Sequence, residues 1–134
     1  MERIFQHNQG PIDRLADVGV GMARTVVDVS DGNIILLWLE DACGGWYRIF
    51  IDGTYCGVDR FPVCEIKDDL DDGYSAMDHG RWFEGRVIDR ADVAMTPDSA
   101  GGSQITLTMA FGDGATARLH CLAADGHCRL QLTP

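Results

Sequence analysis

The sequence predicts a mainly β (or α+β) chain, an antiparallel β-meander with at most one or two short helices. Three observations carry this. Strand-length runs rich in Val, Ile, Leu and aromatic residues recur from residue 23 onward. Asp-Gly dipeptides, strong hairpin signals, stand between such runs at Asp31-Gly32, Asp52-Gly53 and Asp113-Gly114. The C-terminal third alternates apolar and polar residues with the period of two that a half-buried strand requires.

Residues 1–22 are weakly patterned. Ile12, Leu15 and Ala16 suit a short helix starting near Pro11, and Gly19 and Gly21 oppose its extension. Residues 23–30 and 33–40 read as a hairpin closed by a two-residue turn, which places Val29 opposite Ile34 and Val27 opposite Leu36. The second of these strands, NIILLWLE, is apolar on both faces and is expected to be central. Residues 46–52 and 54–60 form the next pair. Pro62 breaks the pattern, and residues 63–67 suit an edge strand.

Residues 68–80 read as an acidic loop, followed by strands over 81–133. RWFEGRVI is the best strand candidate at the start of that region, and TPDSAGGS is a flexible connection. The last strands cover 104–111, 115–122 and 127–133. A two-residue turn at Asp113-Gly114 would mix polar and apolar faces. The three-residue loop Gly112-Asp113-Gly114 pairs Met109 with Ala117, Leu107 with Leu119 and Ile105 with Cys121, so that register is expected. In the following hairpin Leu119 faces Leu130 and Cys121 faces Cys128. Arg118, His120, Arg129 and Gln131 then share a wet face.

The length of 134 residues fits one domain spanning 1–134, able to bury a core without staples. With 46% apolar residues, the chain is expected to fold. No apolar run approaches the ~18 residues of a membrane span, and the N-terminus carries no signal-peptide h-region, so a cytoplasmic location is expected. The five cysteines, Cys43, Cys56, Cys64, Cys121 and Cys128, are odd in number and lack a CxxC. They read as reduced, mostly buried thiols, with Cys121 and Cys128 as a small core pair.

Net charge is −10, and residues 65–78 hold six carboxylates (Glu65, Asp68, Asp69, Asp71, Asp72, Asp78) against Lys67. That local charge, 1 − 6 = −5, is half the total. Such a field attracts cations and basic partners and repels nucleic acid and anionic membrane. As an EF-hand starting at Asp68, the segment fails at Leu70 and His79, where oxygen ligands are needed. No metal or cofactor is therefore expected.

His7, His79, His120 and His127 form no HxH, HxxxH or HExxH pattern, and no GxSxG, P-loop or GxGxxG motif occurs. No catalytic residue is identified, and the chain is expected not to be an enzyme. Trp82 and Phe83 follow the acidic segment, and an aromatic beside a charged rim is the composition of a binding hot spot.

The size, the acidic balance, the missing export signal and the two stretches VVDVSDGNIILLWLEDACGGWYRIFIDG and ITLTMAFGDGATARLHCLAADGHCRLQL resemble the small acidic immunity proteins of bacterial contact-dependent and polymorphic toxin systems. The resemblance implies a non-catalytic cytosolic protein that neutralises a cognate toxin, and the acidic loop then implies a basic toxin surface, as nuclease domains often present. Asp68, Asp69, Asp71, Asp72 and Asp78 would steer the encounter, and Tyr74 and Trp82 would anchor it. Monomers, or at most weak homodimers, are expected. Two other classes stay open. One is a phage or mobile-element module that self-assembles through sheet edges. The other is a small-ligand carrier or enzyme using His79 or His120.

Overall fold

The C-terminal hairpins set the pattern of the molecule. In a computed structural model of the chain, β8 (Ser103–Phe111), β9 (Thr116–Leu122) and β10 (Cys128–Thr133) are antiparallel neighbours. Met109 pairs with Ala117, Leu107 with Leu119 and Ile105 with Cys121, the register that the three-residue loop predicts. Gly114 takes the left-handed conformation that this loop needs (φ 90°). Leu130 lies opposite Leu119, and Arg129 opposite His120. The described residues are 6–7, 12–52, 55–66, 73–97, 102–122, 124 and 126–134.

With β7 (Ile88–Pro97), these strands make a four-stranded sheet in the order β10-β9-β8-β7. The second sheet has six strands in the order β1-β5-β4-β3-β2-β6, comprising β1 (Gln6–His7), β2 (Val20–Asp28), β3 (Ile34–Asp41), β4 (Trp46–Asp52), β5 (Tyr55–Phe61) and β6 (Tyr74–Asp78). All pairs are antiparallel except β1 with β5. The mainly β expectation thus holds. The two sheets face each other across one core in which Leu37, Leu39 and Ile49 meet Ile105, Leu107, Met109 and Leu119.

β3 is interior and apolar on both faces for a physical reason. Its odd positions, Leu37 and Leu39, enter the core between the sheets. Its even positions, Leu36 and Trp38, enter a second cluster on the outer face with Val26, Trp46, Phe61, Cys64 and Ile66. Trp38 is wholly buried there, its ring 5.3 Å from Phe61 and 6.5 Å from Trp46. The stretch 62–66 crosses that face and seats Ile66 on it. The expected edge strand over 63–67 is not formed among its described residues.

Several local expectations are corrected. β2 begins at Val20, inside the stretch read as weakly structured, and the expected short N-terminal helix is present at residues 12–13, passing into a turn over 14–17 in which Leu15 N–H donates to the Ile12 carbonyl (3.1 Å). The first hairpin is closed by residues 29–33, with Val27 opposite Ile34 and Val26 opposite Leu36 across a bulge. Asp28 drives this slip: its Oδ1 accepts from Ser30 N–H (2.9 Å) and Ser30 Oγ–H (2.7 Å), ending the strand before the Asp-Gly pair.

The region read as a loop over 68–80 contains β6, and the start of the RWFEGRVI segment is the short helix α1 (Gly80–Phe83), not a strand. Phe83 is wholly buried in the core, and that burial selects a helical turn here over strand alternation. Cys121 and Cys128 are joined by a disulfide (Cα–Cα 4.1 Å), so the expected reduced pair is also corrected. No helix among the described residues is long and apolar enough to cross a membrane.

Candidate functional site

β6 is the outermost strand of the six-stranded sheet. Its inner neighbour is β2, with Arg24 opposite Asp78, Val26 opposite Ala76 and Asp28 opposite Tyr74. All five β6 residues are exposed. Gly73 introduces the strand with φ 93°, and its carbonyl accepts from Val29 N–H (2.9 Å). A strand so placed presents a row of backbone donors and acceptors to solvent, the usual template for adding a partner's strand.

The chain leaves β6 through His79, whose N–H donates to the Ala23 carbonyl (2.7 Å). The His79 carbonyl then accepts from Trp82 N–H (3.1 Å) and starts α1. This turn brings Asp78 and Trp82 to one cleft of about 530 Å³, with Met22, His79, Arg81 and Glu84 also on its walls. Tyr74 lies at the far end of β6, on the same face as Asp78 by strand alternation. Asp68, Asp69, Asp71 and Asp72 lie outside the described residues.

Trp82 is more tightly held than an interface anchor needs. Its ring packs edge-on to Phe83 (4.8 Å) and Phe111 (5.5 Å), and the Arg86 guanidinium covers it at 4.4 Å. Arg86 is itself fixed by donating Nε–H to the Trp82 carbonyl (2.6 Å) and by an ion pair with Asp113. Trp82 therefore serves the core first and offers only its remaining surface to the cleft.

His79 is half-buried, and its Nε2 lies 3.0 Å from Thr25 Oγ1. Burial lowers its pKa from the ordinary histidine value, while the neighbouring Asp78 carboxylate pulls the other way. The cleft thus combines two carboxylates, one arginine and an imidazole that favours the neutral form. No group of three His, Cys, Asp or Glu side chains suited to a metal ion occurs among the described residues. Sequence reasoning named His79 as a polar group for a small ligand or catalysis and missed Thr25. The two are 54 positions apart, and the β2–β6 pairing that unites them has no local signal.

The wet face of the four-stranded sheet is organised as well. His120 Nδ1 sits 3.0 Å from Thr106 Oγ1 and 3.2 Å from Gln104 Nε2, and its Nε2 sits 3.0 Å from Gln131 Oε1. These bonds tie β8, β9 and β10 together and occupy both ring nitrogens, so His120 has a structural explanation. No family model, curated protein or solved structure matches this chain.

Proposed function

We propose that the protein is a non-catalytic binding module, an immunity protein that neutralises a cognate bacterial toxin with a basic surface in the cytoplasm. One observation carries this reading: the exposed edge strand β6 continues directly from the most acidic segment of the sequence. Steering charge and a docking edge are then contiguous in the chain. A basic partner is drawn by the carboxylates of 65–78 and docks along β6, with Tyr74 and Asp78 on one face of that strand and the Trp82 cleft at its end. Carboxylates from this segment would stand where an anionic substrate sits on the toxin, and Arg–carboxylate pairs would set the orientation.

The test is capture from the lysate of a native host, with identification of the partner by mass spectrometry and stopped-flow association with the purified partner. A basic toxin is expected with the wild-type chain. The quadruple Asp68→Asn, Asp69→Asn, Asp71→Asn, Asp72→Asn variant is expected to associate at least tenfold more slowly, with a flatter salt dependence. A captured toxin that binds this variant with unchanged rate and salt response would remove the acidic segment from the interface.

A further inference from the structure

We propose that a second copy of this chain pairs with β6, edge to edge and antiparallel about a two-fold axis at Ala76. The product is a weak homodimer in which the six-stranded sheets of both copies run on as one. This goes beyond the toxin-binding reading and does not rest on it. The two partners use the same edge and exclude each other there.

The backbone phase of β6 sets the register. Val29 N–H donates to the Gly73 carbonyl (2.9 Å) and His79 N–H donates to the Ala23 carbonyl (2.7 Å), and the pairing between them runs without a bulge. In an antiparallel ladder such bonded positions recur at every second residue. Ser75 and Met77 therefore turn their N–H and C=O groups to β2, while Tyr74, Ala76 and Asp78 turn theirs to solvent at the sheet edge. This set of open positions is complementary to itself. With Ala76 opposite its own counterpart, Tyr74 of each copy falls opposite Asp78 of the other, and every outward N–H and C=O gains a partner. A slip in either direction leaves a position unpaired in each copy.

The side chains allow that register. Ala76 is the smallest side chain of β6 and meets its counterpart at the axis without a clash. Met77 (52% exposed) and Tyr74 (38%) are the large apolar side chains that β6 leaves in solvent. Met77 falls opposite Ser75 of the second copy in a non-hydrogen-bonded pair, where side chains approach most closely, and the two Met77 side chains are diagonal neighbours across the axis. They lie on the face of β6 that borders the open seam of the sandwich, beside Leu130 and Leu132.

Charge selects the antiparallel orientation. Asp68, Asp69, Asp71 and Asp72 precede β6 in sequence, and the exposed Arg81 follows it in α1. Antiparallel pairing sets the end of β6 that the acidic residues of one copy enter beside the end that Arg81 of the other copy leaves. Parallel pairing would set the two acidic entries side by side, where they repel. Pairing in this fixed register also closes an edge that would otherwise be open to indiscriminate strand addition.

The experiment is analytical ultracentrifugation of the full chain alone over a dilution series from about 1 mM, with amide hydrogen exchange read by NMR. A monomer–dimer equilibrium is expected. Protection of the Tyr74, Ala76 and Asp78 amides should rise with concentration, while the Ser75 and Met77 amides, bonded to β2, stay protected throughout. Ala76→Pro removes the N–H at the axis and no bond to β2, a substitution tolerated where an edge N–H faces solvent, and should weaken the dimer at least tenfold. Ala76→Glu, which sets two like charges at the axis, does the same if Ala76→Pro fails to fold. Arg81→Glu should weaken the dimer several-fold. A chain that stays monomeric throughout the series, a dimer that keeps its strength in a folded Ala76 variant or in Arg81→Glu, or protection that rises at other amides instead would each overturn the proposal. Any of these results leaves the toxin-binding reading standing, since that reading is tested on the captured partner.

Discussion

Arg48 and Asp59 face each other across β4 and β5, with Nη2 3.0 Å from Oδ2, while the same guanidinium lies 4.7 Å from the centre of the Phe61 ring and 5.9 Å from that of Trp38. The pair belongs to a row running across the outer face of the sheet, in which Arg24, Trp38, Arg48 and Asp59 are successive register partners. Arg24 Nε, Trp38 Nε1 and Arg48 Nε are buried in that row without a hydrogen-bond partner. The aliphatic stem and flat cation of Arg48 cover aromatic surface, so its role exceeds that of an ion pair. Arg48→Ala should destabilise the fold by about 1–2 kcal/mol through lost packing and cation–π attraction. Asp59→Ala should cost less than about 1 kcal/mol, as expected for a partly exposed ion pair. Urea unfolding of both variants checks the order, and an equal loss would reduce Arg48 to its ionic contact.

His79 makes stability depend on pH. Burial depresses its folded pKa, so between that value and about 6.5 the unfolded chain binds more protons than the folded one. Its contribution is therefore present above about pH 6.5 and is lost as pH falls through the folded pKa. Melting temperatures of wild type and His79→Gln, measured from pH 7.5 to 5, should diverge in slope over that window, with the wild type falling more steeply on acidification. Parallel curves would show that His79 titrates alike in both states.

The free cysteines should differ sharply in reactivity. Cys56 is buried, and desolvation pushes its thiol up to about 12, while Cys43 is exposed on the β3–β4 turn. With iodoacetamide at pH 8, Cys43 should label within minutes and Cys56 only on unfolding. Peptide mapping reads both sites, and labelling of native Cys56 at the rate of Cys43 would contradict its place in the core.

The Cys121–Cys128 bond closes a short loop, the two residues being separated by 7 in sequence. Chain-entropy reasoning gives such a loop about 2 kcal/mol. The double Cys121→Ser, Cys128→Ser variant should lose at least that amount, since the two positions are buried. Intact mass under non-reducing conditions reports the bond directly. Disulfides persist mainly in oxidising compartments, so the same measurement on protein from its native host tests the cytoplasmic location.

The C-terminal sheet was legible in the sequence to the level of individual pairs. There each strand buries one face only, and a slip of one residue would turn Leu107, Leu119 and Leu130 to solvent. The first hairpin was not legible at that level. Its strands are apolar on both faces, so alternation could not set the register, and the Asp28 side-chain contacts decided it. β6 escaped notice for the opposite reason: its five exposed residues carry no periodic signal, and only pairing with β2 makes them a strand. Of the sequence-derived contact residues, Asp78 and Trp82 share a cleft, while Phe111 and Arg86 hold Trp82 by contacts between distant segments.

By itself the sequence determined the mainly β class, the C-terminal register and the concentration of negative charge, because each is written in local spacing and composition. Only the tertiary structure decided that two sheets enclose one core, that β6 stands at an edge, and that Thr25 meets His79 beside an apolar seam. These relationships join residues far apart in the chain, and long-range packing between whole sheets selects them, which no local propensity encodes.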